Sequence, residues 1–237
     1  MTDQSTEAPA RLSLGELLGG RRGALDASVP PAVFVIAWLA SGQSIGWGAL
    51  AAVAAGVLVA GLRLARGRRV TASVASVAAV ALAAFVAVQT GRPEDFFLIQ
   101  LLSNVASALA WALSVLIRWP LLGVVVGVLL GQKTRWRRDP DLLRAYGLAS
   151  WVWVLGQYTV RVLVFGVLWW SGWVVALGVA RVALTWPLVA ATVAVSAVVL
   201  RRALPADHPG LRHPRLPEGD VRGQGAEEVG GVEDRSR

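Results

Sequence analysis

Apolar residues run along this chain in long unbroken blocks. They do not alternate as in a strand, nor form the narrow stripe of a soluble helix. From Val29 to Leu62 no charge interrupts them. That is too long for one membrane crossing of about 20 residues. Ser41-Gly42-Gln43-Ser44 supplies a turn inside it. The block therefore predicts a short first span, 29–41, inserted as a hairpin with a second, 45–62. A third span covers 70–89, and the polar turn Thr90-Gly91-Arg92-Pro93-Glu94-Asp95 leads to a fourth, 96–117. Residues 121–132 are apolar but too short to cross, and predict a re-entrant or interfacial segment or a helix packed under the bundle. A fifth span covers 146–170, Ser171-Gly172 turns the chain, and a sixth covers 173–200. A rival division into 162–180 and 182–200 needs sharp turns at Val160-Arg161 and Ala180-Arg181, where no turn residues occur. It also places Trp169, Trp170 and Trp173 in mid-bilayer, whereas aromatic girdles belong at the interface. The fold class is all-α: a polytopic helical membrane bundle of six transmembrane helices plus one short re-entrant or interfacial segment.

The ends differ from this 29–203 membrane domain. Residues 1–28 are polar and lack the pattern of a signal peptide. They read as a cytoplasmic tail with a short amphipathic helix over Leu12 to Leu18. Residues 204–237 are rich in Pro, Gly and mixed charge, with too little apolar surface to offset ordering entropy, and read as a disordered cytoplasmic tail.

Composition sharpens the membrane reading. Hydrophobic residues make up 55% of the chain without counting its 25 glycines, against about 45–50% with glycine in soluble domains. Carboxylates are excluded from the apolar blocks. Between Ala27 and Arg138 only Glu94 and Asp95 occur, and none lies between Asp141 and Asp207. Basic residues cluster in the connector from Arg118 to Arg144, which holds Arg118, Lys133, Arg135, Arg137, Arg138 and Arg144. With Arg21, Arg22, Arg63, Arg66, Arg68, Arg69, Arg201 and Arg202, fourteen basic residues fall on one side of the predicted bilayer, and Arg92 alone on the other. The positive-inside rule then puts both termini in the cytoplasm of a bacterium, with the spans in its plasma membrane. The net charge of +8 is explained by anionic lipid head groups beside the spans. No motif for nucleic acid is present.

Catalytic constellations are missing from the pattern. There is no cysteine, and His208 and His213 lie in the Pro-rich tail, so no intramembrane metal site or cofactor is expected. Gly127 to Thr134 has the wrong spacing for a phosphate loop, and no strand precedes it. The expectation is a protein that is not an enzyme.

Arg161 and Arg181 are the most informative charges. They fall on consecutive predicted spans, both about 12–14 Å below the Trp169–Trp173 girdle. Arginines at that depth should face protein or water. One reading pairs them with Glu94 and Asp95; the other makes them an outward-opening site for an anion or head group. Two polar stripes accompany them at helical spacing: Gln100, Asn104, Ser107, Trp111, Ser114, Arg118, and Tyr146, Ser150, Trp153, Gln157, Arg161. These serve either as interhelical hydrogen bonds or as the lining of a polar path. Gly48, Ala52, Gly56 and Ala60 recur every four residues, a spacing that lets helices approach closely and permits a homo-oligomer. Gly123, Gly127 and Gly131 share one face of the short apolar segment.

Leu25-Asp26 with Pro30 and Phe34, then Thr90-Gly91-Arg92 with Asp95-Phe96-Phe97, then Arg118-Trp119-Pro120-Leu121-Leu122-Gly123, together resemble an uncharacterised actinobacterial family of membrane proteins over roughly 14–203. The motif positions are Asp26, Pro30, Gly91, Arg92, Asp95, Arg118, Pro120 and Gly123. The layout is also similar, distantly, to the bacterial intracellular septation protein A family. That likeness implies a role in envelope synthesis and division. The leading expectation is a non-enzymatic envelope- or septation-associated scaffold that meets membrane proteins of envelope synthesis or division. The alternative is a small transporter or channel for an anion or lipid head group, using Arg161 and Arg181.

Overall fold

The computed structural model describes residues 20–67, 70–132, 134–211 and 214–215, with the backbone alone for 20–25. The helix expected over Leu12 to Leu18 and residues 216–237 of the tail lie outside the described residues. Every described regular element is helical. In chain order they are α1 (Gly20–Ala40), α2 (Ile45–Ala65), α3 (Val70–Thr90), a 3-10 turn (Pro93–Phe97), α4 (Leu98–Leu116), α5 (Leu121–Leu129), a second 3-10 turn (Arg135–Arg138), α6 (Pro140–Val152), a π-turn (Trp153–Thr159), α7 (Val160–Trp170), α8 (Val174–Ala183) and α9 (Trp186–Ala203). Five helical runs are long and apolar enough to cross a membrane: Ile45–Ala65, Val70–Thr90, Pro93–Leu116, Pro140–Trp170 and Trp186–Ala203. Two shorter apolar helices, Asp26–Ala40 and Val174–Ala183, accompany them.

The helices form two compact units. Unit 1 takes the chain up to Ile99 and adds Val167–Trp186; unit 2 takes Gln100–Gly166 and the chain from Pro187 onward. In unit 1, α1 and α2 make the expected hairpin, turning through Ser41 to Ser44. A Cβ on Gly48 would lie 3.2 Å from the Phe34 ring and from Trp38. Gly56 faces Val80 of α3. Gly48, Ala52, Gly56 and Ala60 are all buried, so this small-residue face is occupied within the chain. At the far end of the hairpin, Asp26 accepts from Arg63 Nε at 3.1 Å. Phe34 stacks on Phe96, with Phe97 edge-on to both.

The predicted span 173–200 is not one helix. It breaks at Leu184 and Thr185 into α8 and α9. Pro187 is the physical reason: it has no N–H for the Ala183 carbonyl and its ring would strike that carbonyl, but it fits the first turn of a new helix. The break leaves Arg181 in the last turn of α8, at the negative end of that helix's dipole, where a cation is favoured.

In unit 2 the short apolar segment is a nine-residue helix, α5, about 14 Å long and too short to cross. Serines of the two polar stripes hold its N-terminus. Leu121 N–H donates to Ser114 Oγ of α4 at 3.2 Å, and Leu122 N–H to Ser150 Oγ of α6 at 3.3 Å. Both stripes therefore anchor a helix end whose own first residue, Pro120, offers no cap. Gly123 and Gly127 are buried, but Gly131 is not part of their face. It ends the helix with φ +67°, the left-handed position glycine fills at a C-terminus.

Candidate functional site

The polar centre of unit 2 is built on Asp139. The dipeptide Asp139-Pro140 starts α6 with a side-chain cap followed by a proline at the first helical position. Asp139 Oδ1 accepts from the N–H groups of Asp141 at 3.0 Å and Leu142 at 3.2 Å. Its second oxygen reaches much later chain. Oδ2 accepts from the Arg215 backbone N–H at 2.7 Å and lies 3.0 Å from His208 Nε2. Gly210 N–H donates to His208 Nδ1 at 3.0 Å, so Nδ1 holds the lone pair and Nε2–H donates to the carboxylate. Arg215 closes a loop back onto Asp207 at 2.8 Å. Gln132 Nε2 donates to the Leu211 carbonyl at 2.7 Å.

Residues 204–211 and 214–215 thus form a strap over the end of unit 2, which corrects the expectation that this stretch is disordered. Apolar contact reinforces the polar bonds. Leu204 and Leu211 pack on a buried cluster of Leu122, Trp136, Leu142, Ala145, Tyr146, Ala149 and Leu200. Trp136 turns inward from the basic connector. It is 1% exposed, meets Tyr146 edge-on at 5.4 Å, and lies where a Cβ on Gly123 would fall, 2.7 Å away. With Trp136 inside, its neighbours Arg135 and Arg137 are exposed. Arg137 stacks over the Trp119 ring at 3.8 Å.

The carboxylates of Asp139 and Asp141 and the His208 ring have ligand atoms within 4.8 Å of one another. The tautomer argues against a metal there. A ligating Nε2 needs Nδ1–H aimed at an acceptor, and Nδ1 instead faces the Gly210 N–H.

Burial by itself would raise the Asp139 carboxyl, but the Arg215 N–H, the His208 ring and the Leu142 N–H outweigh it and hold it below its ordinary value. A carboxyl lowered on folding stabilises the fold fully above its unfolded value, near pH 4, and loses that contribution as pH falls through the lowered folded value. The exposed Asp207, lowered first by Arg215, adds in the same direction. The melting temperature in detergent should therefore be flat from neutral pH to about 5 and fall below about 4. In Asp139→Asn that acid limb should be visibly shallower. An equally steep limb in the variant would remove Asp139 as its source.

In unit 1 the candidate carboxylates lie in the turn before α4. Asp95 is buried and accepts from Trp169 Nε1 at 2.8 Å. Glu94 accepts from Arg92 Nε at 2.8 Å, and the Arg92 guanidinium sits 5.1 Å from the Trp169 ring centre. Arg92, Glu94, Asp95 and Trp169 thus form one knot, with Gly91 (φ +67°) making the turn. Sequence reasoning placed Trp169 in an interfacial girdle and missed it as the partner of Asp95. Arg181 belongs to unit 1 and Arg161 to unit 2; both are half-buried, and neither is free of interactions.

The remaining polar candidates lie in unit 2. Gln100 donates to Asn104 Oδ1 at 3.4 Å. Gln157, on the π-turn, accepts from Thr192 Oγ1 of α9 at 3.3 Å. The π-turn interrupts the regular spacing of the second stripe: Tyr146, Ser150 and Gln157 are buried, whereas Trp153 and Arg161 are half-buried. Of the motif positions, Pro120 and Gly123 pack in this unit's interior and Arg118 is exposed. Asp26 is tied to Arg63, and Pro30 lies inside α1.

These features define a multi-pass helical membrane protein. Compared with known families, residues 18–207 match the family described as a protein of unknown function, DUF3159. The chain belongs to that family. No curated protein and no solved structure matches it significantly.

Proposed function

We propose that the protein is a non-enzymatic scaffold of the bacterial plasma membrane, crossing it six times with both termini in the cytoplasm. One observation carries this reading. The buried carboxylates Asp95 and Asp139 are engaged by structural partners, while Arg118 and Arg137 stand exposed at one end of unit 2 with no carboxylate paired to them among the described residues. Charge at an exposed, Trp-bearing end is available for partners and lipid; charge bound up in a knot is not available for turnover. The charge asymmetry supports the orientation, and partners in envelope synthesis or division are what the distant resemblance in layout to the septation protein A family implies. Cross-linking in cells through the connector should capture such proteins, and purified protein in liposomes should pass no anion. Anion flux above empty liposomes would overturn the scaffold.

A second reading, transport of an anion or head group, draws on a specific feature of unit 2. Among the described residues, Asn104 Nδ2, Trp153 Nε1, Tyr146 Oη and Ser196 Oγ are buried and find no hydrogen-bond partner. In lipid such groups call for water or a solute. If flux is found, Asn104→Leu should reduce it.

A further inference from the structure

We propose that Arg118, Trp119 and Arg137 form a binding site for the phosphate of an anionic phospholipid. The proposal rests on the reading of this chain as a membrane protein and adds a ligand and a place to it.

Arg118 has φ +56°, in the left-handed region that suits glycine and strains other side chains. The helix end around it has the bonding that glycine usually serves: Trp119 N–H donates to the Ser114 carbonyl at 2.8 Å, and Arg118 N–H to that of Val115 at 3.0 Å. The backbone gains nothing from arginine here, so the reason for arginine lies in its side chain. That side chain is exposed.

Trp119 follows directly. It is 40% exposed and stands just past the apolar run Pro93–Leu116, the position where tryptophan marks the head-group level. Leu116 and Ile117 beside it are 70% and 61% exposed and offer apolar surface for acyl chains. Arg137 lies over the Trp119 ring. Stacking occupies the face of the guanidinium and leaves its in-plane N–H donors open, the fork that matches a phosphate. The stack also orders Arg137 before any ligand arrives. Among the described residues, no carboxylate pairs with Arg118 or Arg137. Unmatched donors, an interfacial indole and exposed apolar residues in one place fit a lipid phosphate better than a soluble anion.

The test uses the full chain, purified in mild detergent and offered equal phosphatidylglycerol and phosphatidylcholine, with retained lipid counted by native mass spectrometry. Wild type should retain phosphatidylglycerol preferentially. Arg118→Gly and Arg137→Gln should each cut that retention about fivefold, while Arg202→Gln, an exposed arginine elsewhere in the unit, should not. Arg118→Gly should also unfold no lower than wild type, because glycine relieves the turn; a purely structural role predicts the reverse. Unchanged retention in Arg118→Gly, or an equal drop in Arg202→Gln, would overturn the site. Millimolar inorganic phosphate that strips the lipid would reassign it to a soluble anion. A chain that stays monomeric without detergent would instead defeat the membrane reading beneath it.

Discussion

Trp136→Ala should destabilise unit 2 by about 3–5 kcal/mol, the usual effect of emptying a buried indole site. The ring fills the space that Gly123 leaves open and closes against Tyr146. The loss should appear as a lower midpoint in denaturant titration of the detergent-solubilised protein. Trypsin should then cut the connector between Arg135 and Asp139. A loss under about 1 kcal/mol, the scale of a surface change, would mean that the connector is peripheral rather than part of the core.

The second large effect is expected at Asp139, and two substitutions separate its two roles. Asp139→Ala removes the cap of α6, worth about 1 kcal/mol, and strips the His208 ring and the Arg215 N–H of their common acceptor, worth about 1.5–3 kcal/mol for a charged partner. The total should be about 3 kcal/mol, and the strap should become cleavable by protease. Asp139→Asn keeps a side-chain oxygen for the cap but turns an NH2 toward two donors. It should free the strap while leaving the α6 terminus intact. If Asn and Ala release the strap equally but only Ala frays α6 in hydrogen exchange, both roles stand. If the strap stays protected in both, Asp139 is not what holds it.

The helices and turns were legible because lipid selects by composition. A block such as Phe96 to Ile117 needs no partner to declare itself, and Ser41 to Ser44, Thr90 to Asp95 and Ser171-Gly172 turn where their residues say. The break at Leu184 and Thr185 had a local signal in Pro187, hidden because the surrounding residues stay apolar. The knots were not legible for a different reason. Asp139 finds His208 and Arg215 at separations of 69 and 76 residues, and Asp95 finds Trp169 at 74. No periodicity links such positions. A stretch rich in Pro, Gly and charge reads as unfolded unless its receptor is known, and here the receptor is a carboxylate in a basic loop. The stripes ending in Ser114 and Ser150 were visible, but their use as caps for α5 depended on where the chain returns.

Both units are stitched from two separate lengths of chain, each closed by a piece from the last third: Val167–Trp186 for one, Pro187 onward for the other. No single cut separates one unit from the other, so truncation libraries should give misassembled products rather than working halves. A reporter joined directly behind Ala203 would take the place of the strap and report on a damaged protein. The first safe junction lies past Arg215.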